Sequence, residues 1–209
     1  MGLREHEVTA QLLESDLDPN PYAQFAKWFE DAKRAQPNLP EGMTVATSSM
    51  QGCVSARVCL LKGFDGRGFT FFTNYSSRKG AEIHDNPRAA LCWWWPALER
   101  QVRAEGAIVK TTEEESDAYW VTRPRGSQIG AWASDQSQVI LGRGELEARF
   151  AELESTYGDR PIPRPPHWGG YRVIPNLIEF WQGRADRLHD RFVYRLRESK
   201  DWVIERIAP

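Results

Sequence analysis

The chain has 209 residues, 41% hydrophobic and 27% charged, with a formal net charge of −2 at pH 7. That is the composition of one ordinary globular domain with room for a substantial core. It lacks the overall basic field that would recruit nucleic acid or an anionic membrane, and no apolar run approaches the ~18 residues of a membrane span. Neither partner is expected, and any anion binding must come from local clusters.

Residues 1–18 are polar and without a clear period, and read as an arm ahead of a single domain over 19–209. They contain no apolar stretch of the signal-peptide kind. The opening Met-Gly fits a myristoylation motif only until His6, where Ser or Thr is required. Asn20-Pro21 is an N-cap followed by Pro at the first helical position. Phe25, Trp28, Phe29 and Ala32 then recur at helical spacing, predicting an amphipathic helix that stops near Pro37.

A β-rich block follows. TVATSSM, a Gln51-Gly52 turn and CVSARVCLLKGF read as two strands joined by a tight connection. Alternation puts Val54, Ala56, Val58, Leu60 and Lys62 on one face of the second, with Ser55, Arg57, Cys59 and Leu61 on the other. FTFFTNY makes a third strand, SSRKGAEIHDNP a helix, and ALCWWW and RQVRAEGAIVK two further strands. Thr112 and Glu115 form a capping box opening the helix EEESDAYWVTR, which Pro124 ends. SQIGAWAS and ELEARFAELESTYG read as two more helices, and PIPRPPHWGG as a proline-rich loop. The tail returns to strands with YRVIP, LIEFWQG, LHDRFVYRL and DWVIERIAP. About eight strands without βαβ alternation argue for an α+β fold built on an antiparallel barrel or sandwich.

Four constellations carry chemistry. In FFTNYSSRKG, Ser76 or Ser77 caps a helix whose first N–H groups lack partners. Arg78 and Lys79 oppose the helix dipole there unless an anion offsets them, so the turn suits a phosphate; the plainer reading is a capped surface helix with two solvated cations. In RVCLLK, Arg57 and Lys62 are five residues apart and face opposite ways on an ideal strand. Tyr119 and Arg123 share a helical face, with Ser127 just beyond Pro124; a phenol, a guanidinium and a hydroxyl suit a phosphate monoester, against a solvated helix face as the alternative. In RADRLHDRF, strand alternation from Arg187 aligns Arg187, His189 and Arg191 on one face, either against a ligand or as a salt-bridged surface strand. His189 there can donate or accept at a hydroxyl.

Several other classes are absent. No G-x-S-x-G, P-loop, G-x-G-x-x-G or H-E-x-x-H motif occurs. The histidines His6, His84, His167 and His189 lack metal-ligand spacing, so no metal is expected. Cys53, Cys59 and Cys92 form neither a metal motif nor a disulfide framework, and read as buried reduced thiols of a cytoplasmic protein. The nine tryptophans read as core and interface packing rather than base-stacking surfaces.

In their order along the chain these segments resemble the pyridoxine (pyridoxamine) 5′-phosphate oxidase family. The resemblance runs from about Asp16 to Pro209, through SARVCLLKGF, FFTNYSSRKG, ERQVRAEG, the Tyr119/Arg123/Ser127 series, SDQSQVI, EFWQG, RLHDRF and ERIAP. It implies an FMN-binding split barrel, working as a homodimer with two FMN sites in the subunit interface. By resemblance FMN is held by Arg57, Val58, Cys59, Leu60, Leu61 and Lys62, by Phe72 and Thr73, and by Arg78 and Lys79. Gln101, Gln136, Ser137, Trp181 and Arg191 match the remaining flavin positions. Lys62, Tyr119, Arg123 and Ser127 match the grip on the substrate phosphate. Arg187, Leu188 and His189 match the segment over the pyridine ring, with Arg187 and His189 as the catalytic pair. The implied reaction moves a hydride from C4′ of pyridoxine or pyridoxamine 5′-phosphate to the flavin, giving pyridoxal 5′-phosphate. O2 then reoxidises the flavin and H2O2 is released.

One stretch departs from the family pattern. An Arg-Arg-x-Tyr-like segment often stands near the N-terminus of members; here LREHEV offers Arg4 but has Glu7 in place of the Tyr. Two rivals stay open at this level: a flavin oxidase of the same fold acting on another substrate, as in phenazine biosynthesis, and a non-catalytic carrier of FMN or pyridoxal phosphate.

Overall fold

The computed structural model describes residues 11–209; Arg4 and Glu7 lie outside the described residues. The first helix, α1 (Pro21–Ala35), begins as its sequence predicts, with the Asn20 side chain accepting from the Tyr22 N–H and Pro21 in the first turn. Its buried stripe is Phe25, Trp28, Phe29 and Ala32. Strands β1 (Gly42–Ser48), β2 (Val54–Leu60), β3 (Gly63–Asp65) and β4 (Gly68–Asn74) follow, then helix α2 (Arg78–Asp85). Strands β5 (Arg88–Trp95) and β6 (Arg100–Lys110) lead to helices α3 (Glu113–Trp120), α4 (Arg125–Ala133) and α5 (Arg143–Tyr157). The chain closes with β7 (Trp168–Gln182), β8 (Asp190–Leu196) and β9 (Trp202–Arg206). The α+β class and the antiparallel sheet agree with the sequence reading.

The described strands form one antiparallel sheet in the order β2-β1-β5-β6-β7-β4-β3, with β8 on β7 and β9 on β8. The outermost strands of that path, β2 and β3, are joined by only Leu61 and Lys62, so the sheet must curl back on itself. Two hydrogen bonds fix the crossing, from Leu61 N–H to Glu41 O (2.9 Å) and from Lys62 N–H to Thr70 O (2.8 Å). Strand β7 splits its far edge: Trp168–Val173 pair with β4, and Leu177–Gln182 pair with β8.

Two expected strands, YRVIP and LIEFWQG, are one. Pro175 does not end the strand because it sits at a bulge, where pairing passes from Glu105↔Leu177 to Gly106↔Pro175 and Asn176 is the extra residue. A Cβ on Gly106 would stand 2.0 Å from the Ile174 carbonyl oxygen, so glycine is required there. A second difference is at the tail: β8 starts only at Asp190. Arg187 closes a short 3-10 turn, and both it and Asp186 have positive φ (60° and 57°). Strand alternation therefore does not place Arg187 and His189; a tight, left-handed turn does. A third concerns the thiols, of which Cys53 is exposed and Cys59 and Cys92 only partly buried, all three free.

The main core fills the curl. Phe25 is fully buried and packs edge-on against Phe64, Phe69 and Trp93 at 4.9 Å between ring centroids. Alternation in β5 buries Trp93 and Trp95 and leaves Trp94 at the surface beside Trp181. A second cluster, Trp120, Ile129, Ile162 and Trp168, ties α3 and α4 to the start of β7. Residues 11–18, the end of the expected arm, lie on the β8–β9 end of the sheet. Leu12 is buried and its N–H donates to Asp190, while Tyr194 Oη donates to the Asp18 carbonyl.

Phe25→Ala removes the ring on which α1 and the strands converge. A loss of about 3–5 kcal/mol is expected, read as a lowered urea midpoint with the parent slope.

Candidate functional site

A cleft of about 330 Å³ opens where β2 crosses to β3, lined by Arg57, Val58, Cys59, Leu60, Lys62, Phe72, Thr73, Lys79, Tyr119, Arg123, Gln136 and Trp168. Four of these are cations and none is a carboxylate. Arg57 and Lys62 open onto the same cleft because β2 ends at Leu60 and the chain turns, so strand parity does not extend to Lys62. Leu61 is buried in the core beneath.

At the floor, Ser77 caps α2 by accepting from the Gly80 N–H. Arg78 and Lys79 have different fates. Arg78 points outward and its Nε donates to Glu82 Oε1 at 2.9 Å. Lys79 turns inward, 8% exposed, and donates to Thr73 Oγ1 (3.0 Å), Ser77 Oγ (3.1 Å) and Gln136 Oε1 (2.7 Å). All three acceptors are neutral. Burial pulls the Lys79 pKa below the ordinary lysine value, the condition in which an ammonium gains from an arriving anion. Gly80 is required by close approach: a Cβ there would meet the Tyr75 carbonyl oxygen at 1.9 Å.

Arg57 is fixed from below by four acceptors. Its Nη1 donates to Val45 O (3.2 Å) and Thr47 Oγ1 (2.6 Å), and its Nη2 to Ser55 Oγ and, at 3.5 Å, to Glu82 Oε2. Burial pushes the Cys59 thiol pKa up, against the pull of Lys79 and Arg57, so it forms a neutral wall.

The other wall is aromatic. Phe72 stacks on Tyr119 (4.0 Å, 18°) and on Trp168 (5.5 Å, 13°). Arg123 lies over Trp168 at 4.5 Å and Trp120 at 5.1 Å. Its buried Nη1 has no hydrogen-bond partner, and burial lowers its pKa. A second hollow of about 390 Å³ shares Phe72, Thr73, Arg123, Gln136 and Trp168 with the first and adds Ser127. Arg123 thus borders both adjoining hollows, with Tyr119 on the first and Ser127 on the second.

The remaining predicted positions stand elsewhere. Gln101, Trp181 and Arg191 are neighbours across β6, β7 and β8. Arg191 donates to Glu179 Oε1 (2.9 Å) and to the Ala208 carbonyl (2.9 Å). His189 packs on Trp181 at 4.4 Å, its Nδ1 accepting from the Arg184 N–H at 3.1 Å. Arg187 and Leu188 are exposed. None of these lines either hollow, and Ser137, with φ of 75°, lies beyond Gln136 in the exposed loop. Within one chain the predicted residues therefore form two groups.

Sequence reasoning missed Trp168, which no local pattern marks, and Glu82. The latter carried a signal, since it lies four residues after Arg78 on α2.

Comparisons with known proteins show the family. A family model described as pyridoxamine 5′-phosphate oxidase matches residues 29–157, and one described as the pyridoxine 5′-phosphate oxidase C-terminal dimerisation region matches 168–209. The chain is 56% identical to a pyridoxine/pyridoxamine 5′-phosphate oxidase of Paraburkholderia phymatum, over 99% of this chain and 97% of the relative. It is 57% identical to the protein of that name from Acaryochloris marina, over 99% and 94%. Among solved structures, PhzG from Burkholderia lata 383, in complex with tetrahydrophenazine-1-carboxylic acid, is 31% identical with a TM-score of 0.90, over 97% of this chain and all of that one.

Two outcomes follow from the electrostatics. Inorganic phosphate raises the thermal midpoint of the parent chain but not of Lys79→Met, whose own stability stays within about 1 kcal/mol of the parent because an uncompensated buried charge is removed. Glu82 governs part of the acid response. Burial raises its pKa, but hydrogen bonds from Ser55, Thr47 and Arg78 outweigh this and hold it at about 2 against an ordinary 4.5. Its stabilisation is full above about pH 4.5 and lost as pH falls towards 2; thermal midpoints across that range fall less steeply in Glu82→Gln.

Proposed function

The chain belongs to the pyridoxamine 5′-phosphate oxidase family, and on that premise we propose that it oxidises pyridoxine and pyridoxamine 5′-phosphates to pyridoxal 5′-phosphate with FMN as cofactor. The observation that carries the reading is the double anion grip: two adjoining hollows with four cations, no lining carboxylate and a stacked aromatic wall between them. The donor set fits FMN. Arg57, Arg78 and Lys79 would hold its phosphate end, with Val58, Cys59, Leu60, Leu61, Lys62, Phe72, Thr73, Gln136 and Ser137 along the rest. Bound FMN supplies the two-electron acceptor for the hydride from C4′ and returns the electrons to O2, with H2O2 as the product.

The chain's own residues bind and orient. Arg123, bidentate by geometry and with one buried nitrogen still unpartnered, takes the substrate phosphate together with Lys62, Tyr119 and Ser127. Anchoring that distant phosphate supplies binding energy that places C4′ for reaction. Arg187 and His189 cover the pyridine ring, with Leu188 between them, and His189 meets its 3-hydroxyl. With Nδ1 accepting from a backbone N–H, the His189 Nε2 carries the proton and can donate it.

Arg187, His189, Gln101, Trp181 and Arg191 reach the flavin from a second copy in this reading, so each site is completed across a homodimer interface. The match to a dimerisation region supports this. So does the outer face of β2, where Val54 and Val58 are 70% and 71% exposed. No described helix is long and apolar enough to cross a membrane; a cytoplasmic location belongs to the same reading and rests on the free thiols.

PhzG marks the neighbouring possibility of another substrate. Its ligand bears a carboxylic acid and no phosphate, whereas Tyr119, Arg123 and Ser127 border two adjoining hollows here and suit a phosphate. The decisive test is anaerobic: pyridoxine 5′-phosphate mixed with the FMN-loaded protein bleaches the yellow absorption, and air restores it. No bleaching with that compound or with pyridoxamine 5′-phosphate overturns the assignment. Arg187→Ala is expected to lower turnover more than FMN retention, and Lys79→Ala to lower FMN retention first; flavin titrations beside steady-state rates would expose the reverse.

A further inference from the structure

Glu82 lines neither hollow, yet among the described residues it is the carboxylate that reaches the cations of the phosphate cradle. It is 6% exposed and sits one turn into α2, below Arg57 and beside Arg78. Its Oε1 accepts from Arg78 Nε, and its Oε2 accepts from the Thr47 and Ser55 hydroxyls, with Arg57 Nη2 at 3.5 Å.

The two hydroxyls give this arrangement a direction. Each has a single proton, and each donates it to Glu82. Their lone pairs then face Arg57, which donates to both. An ionised carboxylate is the only state of residue 82 that accepts on both oxygens. It orients two hydroxyls, and through them the guanidinium of β2, while pinning the guanidinium of α2 directly. Charge agrees with geometry. Arg57, Arg78 and Lys79 carry three positive charges and Glu82 removes one, leaving about the two that match a phosphate monoester of charge −1.5 to −2.

Resting on the reading of this cradle as the FMN phosphate site, we propose that Glu82 is the positioning residue of that site, aligning Arg57 through Thr47 and Ser55 and Arg78 by direct contact. A glutamine in its place has one acceptor and one donor. Turned one way, the amide sets its NH2 against the Arg78 donor; turned the other, its NH2 donates to the two hydroxyls, which lose the acceptor that fixes their protons and so their orientation towards Arg57.

This makes a prediction of unusual sign. By charge alone, removing a buried negative group beside an anion site tightens the binding of a dianion. By positioning, the same change loosens it. The experiment titrates FMN, and separately riboflavin, into the full-length chain freed of flavin, following flavin fluorescence. Riboflavin has the ring system without the phosphate, so it reports the fold and the ring site. Glu82→Gln is expected to weaken FMN about tenfold or more while riboflavin changes by less than about twofold, as loss of a charged hydrogen bond at the phosphate alone predicts. Ser55→Ala, which deletes one hydroxyl and leaves the carboxylate, is expected to give a smaller loss, about threefold, again for FMN only. It keeps the test intact if Glu82→Gln fails to fold. Unchanged or tighter FMN binding in the variants overturns the positioning role, as does an equal loss for both flavins. A parent chain that holds riboflavin as tightly as FMN overturns the cradle reading itself, and the role of Glu82 with it.

Discussion

A buried ammonium with only neutral partners is the constraint around which the rest of the site is arranged. Lys79 is folded inward at the start of α2 among Thr73, Ser77 and Gln136. Taking a charge out of water costs several kcal/mol unless something compensates it, and here the protein provides hydrogen bonds but no counter-charge. Such a group is tolerated where the surrounding fold is rigid enough to enforce it. The rigidity comes from two sides. Gly80 lies against the Tyr75 carbonyl with no room for a methyl group, and Thr73 is on β4, locked between β3 and β7. The aromatic core around Phe25 stabilises those strands in turn. Core packing and site chemistry are thus linked: the first holds the strands that the second strains.

The same logic explains how far the sequence could be read. Helix α1, the capping box at Thr112 and Glu115 and the alternation of Trp93, Trp94 and Trp95 are local patterns, and the structure keeps them. Features that depend on chain crossing were not legible. The curl between Leu60 and Lys62 brings Arg57 and Lys62 onto one cleft, although an ideal strand would separate them. Pro175 looked like a strand end and is a bulge, because the compensating glycine, Gly106, is distant in sequence on β6. The segment before β8 looked extended, and its positive φ values at Asp186 and Arg187 belong to a turn that neither residue type announces. Of the site, the Tyr119, Arg123 and Ser127 series was visible from helical spacing. Trp168, which forms the floor under Arg123, was not, since its position is set by the pairing of β7 with β4.

The separation of the predicted residues into two groups follows from the sheet order. Strands β2 and β4 carry the first group and stand on opposite sides of the closing turn; β6, β7 and β8 carry the second. Within one chain the two groups line no common hollow. In the proposed dimer each surface meets its complement on the other copy, and the apolar outer face of β2 gains the cover that an isolated chain does not give it.

The two hollows also share a wall. Phe72, Thr73, Gln136 and Trp168 border both hollows, so a ligand in one defines the boundary of the other. Gln136 joins the two, since its Oε1 accepts from Lys79 and from Thr73, while Thr73 Oγ1 also accepts from Lys79. An anion at Lys79 would compete with Thr73 and Gln136 for its N–H donors. Phe72, Tyr119 and Trp168 are already stacked, so little further ordering of that wall remains for a ligand to impose.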